Sequence, residues 1–399
     1  MDTVLPKGWK WQKLGDVCDV VTGTTPPKSD SSNYGKDIPF FKPPHLWDGM
    51  ITDTEEMLSL KGSEKARVVQ PNTVLVTCIG NLGRTGFVKK VAAFNQQINA
   101  ILENECIGGK FIFYQAQSPL FKKQLEKLAT GTTVSIVNKG NFETIEIPLP
   151  PKPTQEAIVS KIEELFSELD KGIENLRLAQ QQLKTYRQAV LKWAFEGSLT
   201  NENVKHDELP KGWKWMKLGG VAKKKSFKAL PADYPDAKFI GMDCIEPHTL
   251  KPFFLYDFKE FKSAGNYFKT NQVLYGRMRP YLNKVYRAEF DGTCSGEFII
   301  LDCGEIFNPD LLKYILHSRG FVRFANSITT GDRPRISYEE ISDYDIPLGP
   351  IDEQNKIVRE IESRLSVADK MEESITQSLQ QAEALRQSIL KRAFEGKLI

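Results

Sequence analysis

Two long stretches of the chain repeat their hydrophobic pattern with a helical period. From residue 154 to Gly197, and again from residue 352 to Gly396, apolar side chains recur mostly every three or four positions and no proline intervenes. This spacing predicts two long amphipathic helices, each with one apolar stripe and each closed by a glycine. Because a lone helix with such a stripe needs a partner, we expect the two helices to pair as an antiparallel coiled coil.

The segment that precedes each long helix has a different pattern. Short apolar runs alternate with turn residues, which predicts strands, and one longer amphipathic stretch in each segment predicts a helix. Each segment therefore reads as an α+β domain of roughly 150 residues. The predicted strands are Val74–Ile79, Phe87–Val88, Ile98–Leu102, Val273–Tyr275 and Glu297–Leu301, and the predicted helices are Phe111–Leu128 and Leu311–Phe324.

The chain is an internal duplication. Residues Leu5–Gly15 return as Leu209–Gly219 with one difference in eleven positions, and Ala194–Gly197 returns as Ala393–Gly396. A period of about half the chain is far longer than the 20–50 residues of solenoid repeats, so the unit is a domain plus a helix. The middles of the two copies share almost nothing. Two open interpretations are one scaffold with two different binding surfaces, and drift after duplication.

The predicted fold class is accordingly α+β: a tandem duplication of an α+β domain followed by a long helix, with the two helices pairing as an antiparallel coiled coil. We place the first domain at residues 1–153 and the first long helix with its linker at 154–204. The second domain follows at 205–351 and the second helix at 352–399. The glutamine-rich polar faces of the helices have two interpretations, a solvated surface or a docking surface for other subunits.

Composition narrows the class of protein. The 399 residues carry 54 Lys and Arg against 51 Asp and Glu, a net charge of +3, so any binding to nucleic acid must rely on local patches. Six cysteines without a Cys-x-x-Cys pair and four scattered histidines predict neither a zinc site nor a disulfide framework. The start of the sequence lacks a signal-peptide pattern and no apolar run approaches a membrane span. We therefore expect a cytoplasmic protein.

Catalytic signatures are nearly absent from the sequence. There is no dinucleotide-binding or Walker loop and no nucleophile elbow. One pattern resembles a nuclease site: Asp236, Asp257 and Lys259 could hold Mg²⁺ and position a water. It has no counterpart in the first copy. A Mg²⁺-dependent nuclease is therefore kept as the alternative function, and a structural tether built on the coiled coil as a further one.

Basic loops that recur in both copies are the candidate binding residues. The segment Asn81–Arg84 is placed opposite the pair Arg277 and Arg279, and the loop after Thr130 opposite the loop after Thr330. Arginine and lysine suit phosphates, arginine also grips guanine edges, and asparagine suits adenine. No catalytic and no metal-binding residue is predicted. The DNA-binding candidates are Arg84, Thr132, Asn138, Lys139, Lys223, Lys224, Arg277, Arg279, Lys284, Arg333 and Arg335.

Three ordered motifs, each present twice, give the chain a family resemblance. They are the Leu-Pro-x-Gly-Trp opening, the Ile-Pro-Leu-x-Pro run followed by Gln155 or Gln354, and the helix that closes on Ala-Phe-x-Gly-x-Leu. Together they resemble the specificity subunit of Type I restriction–modification systems, along the whole chain.

The resemblance implies a non-catalytic subunit that binds double-stranded DNA. Each recognition domain would read one half of a bipartite asymmetric site, and the coiled coil would set the spacer. Two methyltransferase (modification) subunits would dock on this chain, and restriction subunits could join them. No cofactor is then expected in this chain, because S-adenosylmethionine, ATP and Mg²⁺ would be used by the partner subunits. The base-reading residues of the family form no motif, so the candidates above rest on the loops alone.

Overall fold

The chain forms two compact units. The structure, a computed structural model, describes residues 5–131, 133–200 and 209–399. The first unit contains the chain up to Leu176 and from Thr376 onward, and the second unit is Arg177–Ile375. Both unit boundaries lie inside the long helical segments. The boundaries at residues 153 and 351 that the sequence predicts lie elsewhere, between each α+β domain and the long helix that follows it. They stay a prediction.

The described part of the first unit contains three sheets and several short helices. Its strands are β1 Lys10–Lys13, β2 Val20–Thr22, β3 Tyr34–Phe41, β4 Gly49–Ile51, β5 Met57–Leu58, β6 Arg67–Val69, β7 Val74–Thr77, β8 Thr85–Val88, β9 Ala92–Phe94, β10 Ile98–Ile101 and β11 Glu146–Leu149. Its helices are α1 Leu14–Val17, α2 Leu60–Ser63, α3 Gly109–Gln117, α4 Pro119–Lys127 and α5 Lys139–Glu143, followed by the long α6 Lys152–Phe195. The sheets have the orders β2-β10-β7-β8-β4, β5-β3-β9-β6 and β1-β11.

The described part of the second unit repeats this plan with a different division of strands. Its strands are β12 Lys214–Lys217, β13 Lys223–Lys225, β14 Lys228–Ala229, β15 Lys238–Ile240, β16 Tyr256–Asp257, β17 Gly265–Phe268, β18 Val273–Gly276, β19 Val285–Arg287, β20 Gly292–Cys294, β21 Phe298–Asp302 and β22 Asp345–Leu348. Its helices are α7 Leu218–Val221, α8 Pro309–His317, α9 Arg319–Ser327 and α10 Tyr338–Ser342, followed by the long α11 Ile351–Phe394. The sheets have the orders β13-β21-β18-β19, β14-β17-β20-β15-β16 and β12-β22.

The predicted α+β class, strands and long helices are confirmed, but one feature of the prediction is wrong. The single helix expected before each long helix is two helices, broken at Ser118 in the first unit and at Ser318 in the second. Each serine is extended, and its hydroxyl accepts a hydrogen bond from the amide of Phe121 or Phe321 at 3.3 Å. The serine therefore caps the second helix, so the apolar pattern continues while the backbone turns.

The core of the first unit is closed by the end of α11. Ile158 and Ile162 from the start of α6 lie in the same buried cluster as Leu390 and Phe394. Phe394 is 2% exposed, and its ring packs edge-on against Phe111 of α3 at 5.4 Å between centroids. The start of one long helix therefore packs beside the end of the other, which is an antiparallel arrangement.

The second unit uses the same arrangement with the roles of the helices exchanged. Ile357 and Ile361 from the start of α11 share a buried cluster with Val190 and Ala194 from the end of α6. Full burial of an isoleucine or valine side chain contributes about 1.5–3 kcal/mol to the stability of the fold. Each unit thus obtains much of its core from a segment distant in the sequence.

Equivalent arginines fix the helix pair in both units. In the second unit, Arg187 of α6 donates to Asp369 and Glu372 of α11, at 2.5 and 2.8 Å. In the first unit, Arg386 of α11 pairs with Asp170 of α6, and its guanidinium lies 4.3 Å from the centre of the Phe166 ring. The planar guanidinium can both stack on a ring and pair with a carboxylate. These contacts join the two helices at equivalent places in the two units.

A buried glutamine anchors the start of each long helix to its domain. The Gln155 side chain accepts from the amide of Gly108 at 3.1 Å and donates to the carbonyls of Cys106 and Pro150, at 2.9 and 3.1 Å. Gln354 makes the equivalent three bonds in the second unit: it accepts from Asn308 and donates to the carbonyls of Ile306 and Gly349. Since an unsatisfied buried polar group costs about 1–3 kcal/mol, this glutamine is strongly constrained.

The repeated sequence motifs meet in space within each unit. Gly396 has a φ of +69°, and a Cβ placed there would lie 2.2 Å from the ring of Pro6 in the Leu-Pro-x-Gly-Trp opening. Gly197 has a φ of +73°, and a Cβ there would lie 2.3 Å from Pro210. Both the left-handed backbone and the close approach require glycine. This contact explains why the motif that ends one helix and the opening of a domain recur together.

The remaining expectations from composition concern cysteines and membranes. All six cysteines are free thiols, and five of them are buried. Among the described residues, the helices lack an apolar stretch long enough to cross a membrane.

We predict that the end of α11 stabilises the first unit. The substitution Phe394→Ala removes a buried ring from its core and should lower the free energy of unfolding by about 3–5 kcal/mol. Urea denaturation of the full chain measures this change. The control Leu385→Ala, on the same helix at a side chain that is 51% exposed, should cost much less. Equal losses for the two variants would contradict the packing described here.

Candidate nucleic-acid interface

Three segments of the first unit lie together beside the ends of β7 and β8. We call residues 46–49, 78–84 and the described part of 130–137, which leaves out Thr132, the first loop cluster. The amide of Gly80 donates to the carbonyl of Ser135 at 2.9 Å, and that of Val137 donates to Cys78 at 2.9 Å. Asp48 binds Thr85 at the end of the second segment: its amide donates to the Thr85 carbonyl at 2.9 Å, and its carboxylate accepts from the Thr85 amide at 2.8 Å. Backbone hydrogen bonds therefore hold these loops in one arrangement.

The second unit contains the corresponding second loop cluster, residues 246–249, 277–284 and 330–336. The amide of Arg279 donates to the carbonyl of Pro334 at 2.8 Å, and that of Ile336 donates to Arg277 at 3.0 Å. The amide of His248 donates to Leu282 at 2.9 Å. The loops singled out from the sequence thus come together in each unit.

The backbone hydrogen bonds align the two clusters residue by residue. The bond from Cys78 to the carbonyl of Gln97 corresponds to the bond from Arg277 to Glu297, and both clusters contain an isolated β-bridge at the same place. This register makes the following pairs equivalent: Thr77 and Gly276, Cys78 and Arg277, Ile79 and Met278, Gly80 and Arg279, Arg84 and Lys284, Ser135 and Pro334, Ile136 and Arg335, and Val137 and Ile336.

One equivalence inferred from the sequence is wrong. Arg84 does not occupy the place of the pair Arg277 and Arg279: its carbonyl accepts from Thr77 at 2.9 Å, as that of Lys284 accepts from Gly276 at 2.9 Å. The loops differ in length and composition, so only the strand hydrogen bonds reveal the register. The arginine pair has Cys78 and Gly80 as its counterparts.

The candidates of the first cluster have different surroundings. Arg84 is exposed and lies at the end of the loop, with its Nε 3.0 Å from the side-chain amide of Asn81. Asn138 caps α5, because its side-chain oxygen accepts from the amide of Asn141 at 2.8 Å. Lys139 is exposed and pairs with Glu143 at 3.4 Å. Thr132 lies outside the described residues.

The candidates of the second cluster are mostly arginines. Arg277 and Arg279 are partly buried, whereas Arg333 and Arg335 are exposed. Arg335 donates to both carboxylate oxygens of Glu297, at 3.2 and 3.0 Å, and this pairing raises the pKa of its guanidinium. Lys284 donates to the carbonyl of Met242 at 2.6 Å, and burial lowers the pKa of its ammonium group.

Two candidates lie on a strand instead of in the loop cluster. Lys223 and Lys224 belong to β13, which pairs with β21. Lys223 donates to the carbonyl of Gly219 at 2.5 Å, and both side chains are exposed. Successive residues of a strand point to opposite faces, so the two lysines do not form one patch.

Sequence reasoning missed several residues of these clusters. Trp47 is 66% exposed and immediately precedes Asp48, whose φ is +63°. His248 has a φ of +62° in the corresponding segment of the second unit. Glu297 lies in the connection between β20 and β21, and its carboxylate accepts two hydrogen bonds from Arg335. An exposed tryptophan or a single glutamate carries no functional pattern in the sequence, so these residues are recognised only when the hydrogen bonds between the loops are known.

The nuclease alternative gains no support. Asp257 pairs with Lys238 at 2.5 Å across β15 and β16, which lowers the pKa of the carboxyl. Asp236 and Lys259 are exposed. Within the described ranges, no group of three histidine, cysteine or acidic side chains is placed to hold a metal ion.

Comparison with known proteins assigns the family. The sequence model of the Type I restriction modification DNA specificity domain matches residues 6–177. The EcoDI specificity subunit of Escherichia coli is 27% identical over 99% of this chain and 89% of its own length. Residues 6–177 belong to this domain family, and the chain is similar to Type I specificity subunits over nearly its whole length. The second half of the chain lies outside the residues that the family model matches, but it repeats the arrangement of an α+β domain followed by a long helix.

Two solved structures share the fold of this specificity subunit. A chain from a study of complex assembly in the Type I restriction–modification system superposes with a TM-score of 0.79 at 20% identity, covering 99% of both chains. The HsdS subunit from Thermoanaerobacter tengcongensis gives a TM-score of 0.64 at 20% identity and covers 98% of both chains. At this level of identity, the likeness concerns the fold alone.

We predict that Asn138 acts as a helix cap. The substitution Asn138→Ala removes the hydrogen bond to the Asn141 amide and should lower the free energy of unfolding by about 1 kcal/mol. Asn138→Ser is the matched control, because a serine hydroxyl can cap the same helix. Urea denaturation distinguishes the two. A serine variant as unstable as the alanine variant would contradict the capping role.

We also predict a pH dependence of stability from His317. Its Nδ1 is buried without a hydrogen-bond partner in the described chain, and burial together with the charges of His248 and Lys313 lowers its pKa from 6.5 to about 4. The unfolded chain therefore takes up a proton first as the pH falls. This contribution to stability is complete above pH 6.5 and declines towards pH 4, by up to about 1.4 kcal/mol per pH unit.

The measurement is urea denaturation between pH 7 and pH 5. His317→Gln removes the titrating group, so the variant should show a shallower loss of stability than the parent. Parallel pH profiles for the two proteins would show that His317 is not the group responsible.

Proposed function

We propose that this specificity subunit directs a Type I methyltransferase complex to a bipartite DNA sequence, with one half-site read by each loop cluster. The observation that carries the proposal is the residue-by-residue register of the two clusters, which places different side chains on one backbone frame. Duplex DNA is contacted by loops and helices that present side chains to base edges while other groups hold phosphates. Two copies with different side chains suit two different half-sites.

The long helices are the part of the chain suited to spacing and assembly. Each is a continuous helix of 44 residues, which corresponds to roughly 66 Å at 1.5 Å per residue. We propose that their length fixes the spacer between the half-sites. In the second unit the helix pair also exposes apolar side chains, among them Val367 and Met371, which are 52% and 53% exposed. Exposed apolar groups of this kind favour docking of a protein partner.

The partners follow from this role. We propose that two methyltransferase subunits dock on the chain and that restriction subunits can join them. Methyl transfer with S-adenosylmethionine, and cleavage driven by ATP with Mg²⁺, would then take place in those partners. This chain would contribute the sequence preference and the geometry.

The test is expression of the chain with its methyltransferase subunit in cells that lack other methylation, followed by sequencing of methylated sites. A bipartite motif is expected. Replacing residues 1–153 with the corresponding domain of another specificity subunit should change only one half of the motif. The matched control replaces residues 205–351 and should change only the other half. A change in both halves after either exchange, or methylation without sequence preference, would overturn the proposal.

A further inference from the structure

The two loop clusters carry side chains of opposite character at equivalent positions. In the second cluster the positions hold Arg277, Arg279 and Arg335, and in the first cluster they hold Cys78, Gly80 and Ile136. Two residues before Arg335 and Ile136, Arg333 corresponds to Val134. The same backbone frame is therefore cationic in one unit and apolar or neutral in the other.

Arg279 has a left-handed backbone conformation, which its counterpart Gly80 adopts more easily because glycine has no Cβ. Its φ and ψ are 51° and 69°, and Gly80 has a φ of +80°. The left-handed region is unfavourable for any residue with a Cβ, whereas glycine enters it freely. A Cβ at Gly80 would meet no atom within 4 Å, so this position of the loop has room for a side chain. In the second unit this position is an arginine in spite of the backbone strain. Strained residues of this kind cluster at binding sites.

The arginine pair also has unused hydrogen-bonding capacity. The Nε atoms of Arg277 and Arg279 are buried, and neither has a hydrogen-bond partner in the described part of the chain. By contrast, Arg335 is held by two hydrogen bonds to Glu297. The guanidinium of arginine matches the O6 and N7 acceptors of guanine in the major groove, where one arginine can make two hydrogen bonds. Because the Nε atoms are buried, the terminal Nη atoms of the two arginines are the donors available for this kind of contact.

The first cluster presents apolar side chains at its corresponding surface. Val134 is 47% exposed and Ile136 is 39% exposed, although both lie in a loop held by backbone hydrogen bonds. In the major groove, the methyl group of thymine is the base feature that apolar side chains contact. These residues cannot bind guanine acceptors, because they carry no side-chain donor.

We infer that the two domains read base pairs of different composition: the second domain reads at least one G·C pair through Arg277 and Arg279, and the first domain reads A·T pairs through the thymine contacts of Val134 and Ile136. The inference rests on the proposed function and adds to it the base preference of each half-site. It also assigns the two halves of the motif to the two domains.

The test compares methylation motifs of the complex assembled with its methyltransferase subunit. Arg279→Gly should relax a G·C position in one half-site by about 5- to 150-fold and leave the other half-site unchanged. Because glycine accommodates this backbone, the unfolding midpoint of the variant should not fall. Ile136→Ala should relax an A·T position in the other half-site only. Each variant is the control for the other.

Substituted DNA shows whether the arginine contact is direct. Replacing the guanine with 7-deazaguanine removes the N7 acceptor, so it should weaken binding by the parent complex and have little further effect on the Arg279→Gly complex. A uniform loss over both half-sites would indicate a phosphate contact and overturn the inference. So would a wild-type motif in which neither half contains a required G·C pair. If the wild-type complex shows no bipartite motif, the proposed function itself fails, which is a separate result.

Discussion

The packing of the two long helices against each other is the interaction on which both units depend. The core of the first unit includes Phe394 from the end of α11, and that of the second unit includes Ala194 from the end of α6. Neither domain therefore has a complete core without a helical segment that is remote in the sequence. Since large apolar side chains contribute most of the stability of a core, folding of the domains and pairing of the helices are coupled.

Because the core and the helix pair hold the frame of each unit, the side chains of the loop clusters can differ between the units. The buried glutamines Gln155 and Gln354 make the same three hydrogen bonds, and the strand register at the base of each loop cluster is the same in both units. With the frame fixed, a change of side chain at one loop position alters the surface with little effect on the fold. Gly80 and Arg279 are an example: one position accepts either residue, at the expense of some backbone strain.

The sequence predicts the duplication, the strands and the long helices well, because each depends on a local or periodic pattern. It fails where a single polar residue interrupts a pattern, as at Ser118, whose cap breaks a helix that the apolar spacing continues. It also fails in the loops, where the sequence alone places Arg84 opposite the arginine pair instead of opposite Lys284. Loop residues have no periodicity, so their equivalence follows only from hydrogen bonds between distant strands.

The small net charge of +3 is compatible with sequence-specific DNA recognition, because arginines are concentrated in one loop cluster. A uniformly basic surface would favour binding to any DNA, since phosphate contacts carry no sequence information. Here the second cluster concentrates arginines at a few fixed positions, and one of them, Arg335, is already paired with Glu297. The first cluster has apolar side chains at the same places. Discrimination between sequences can therefore reside in a small number of oriented side chains.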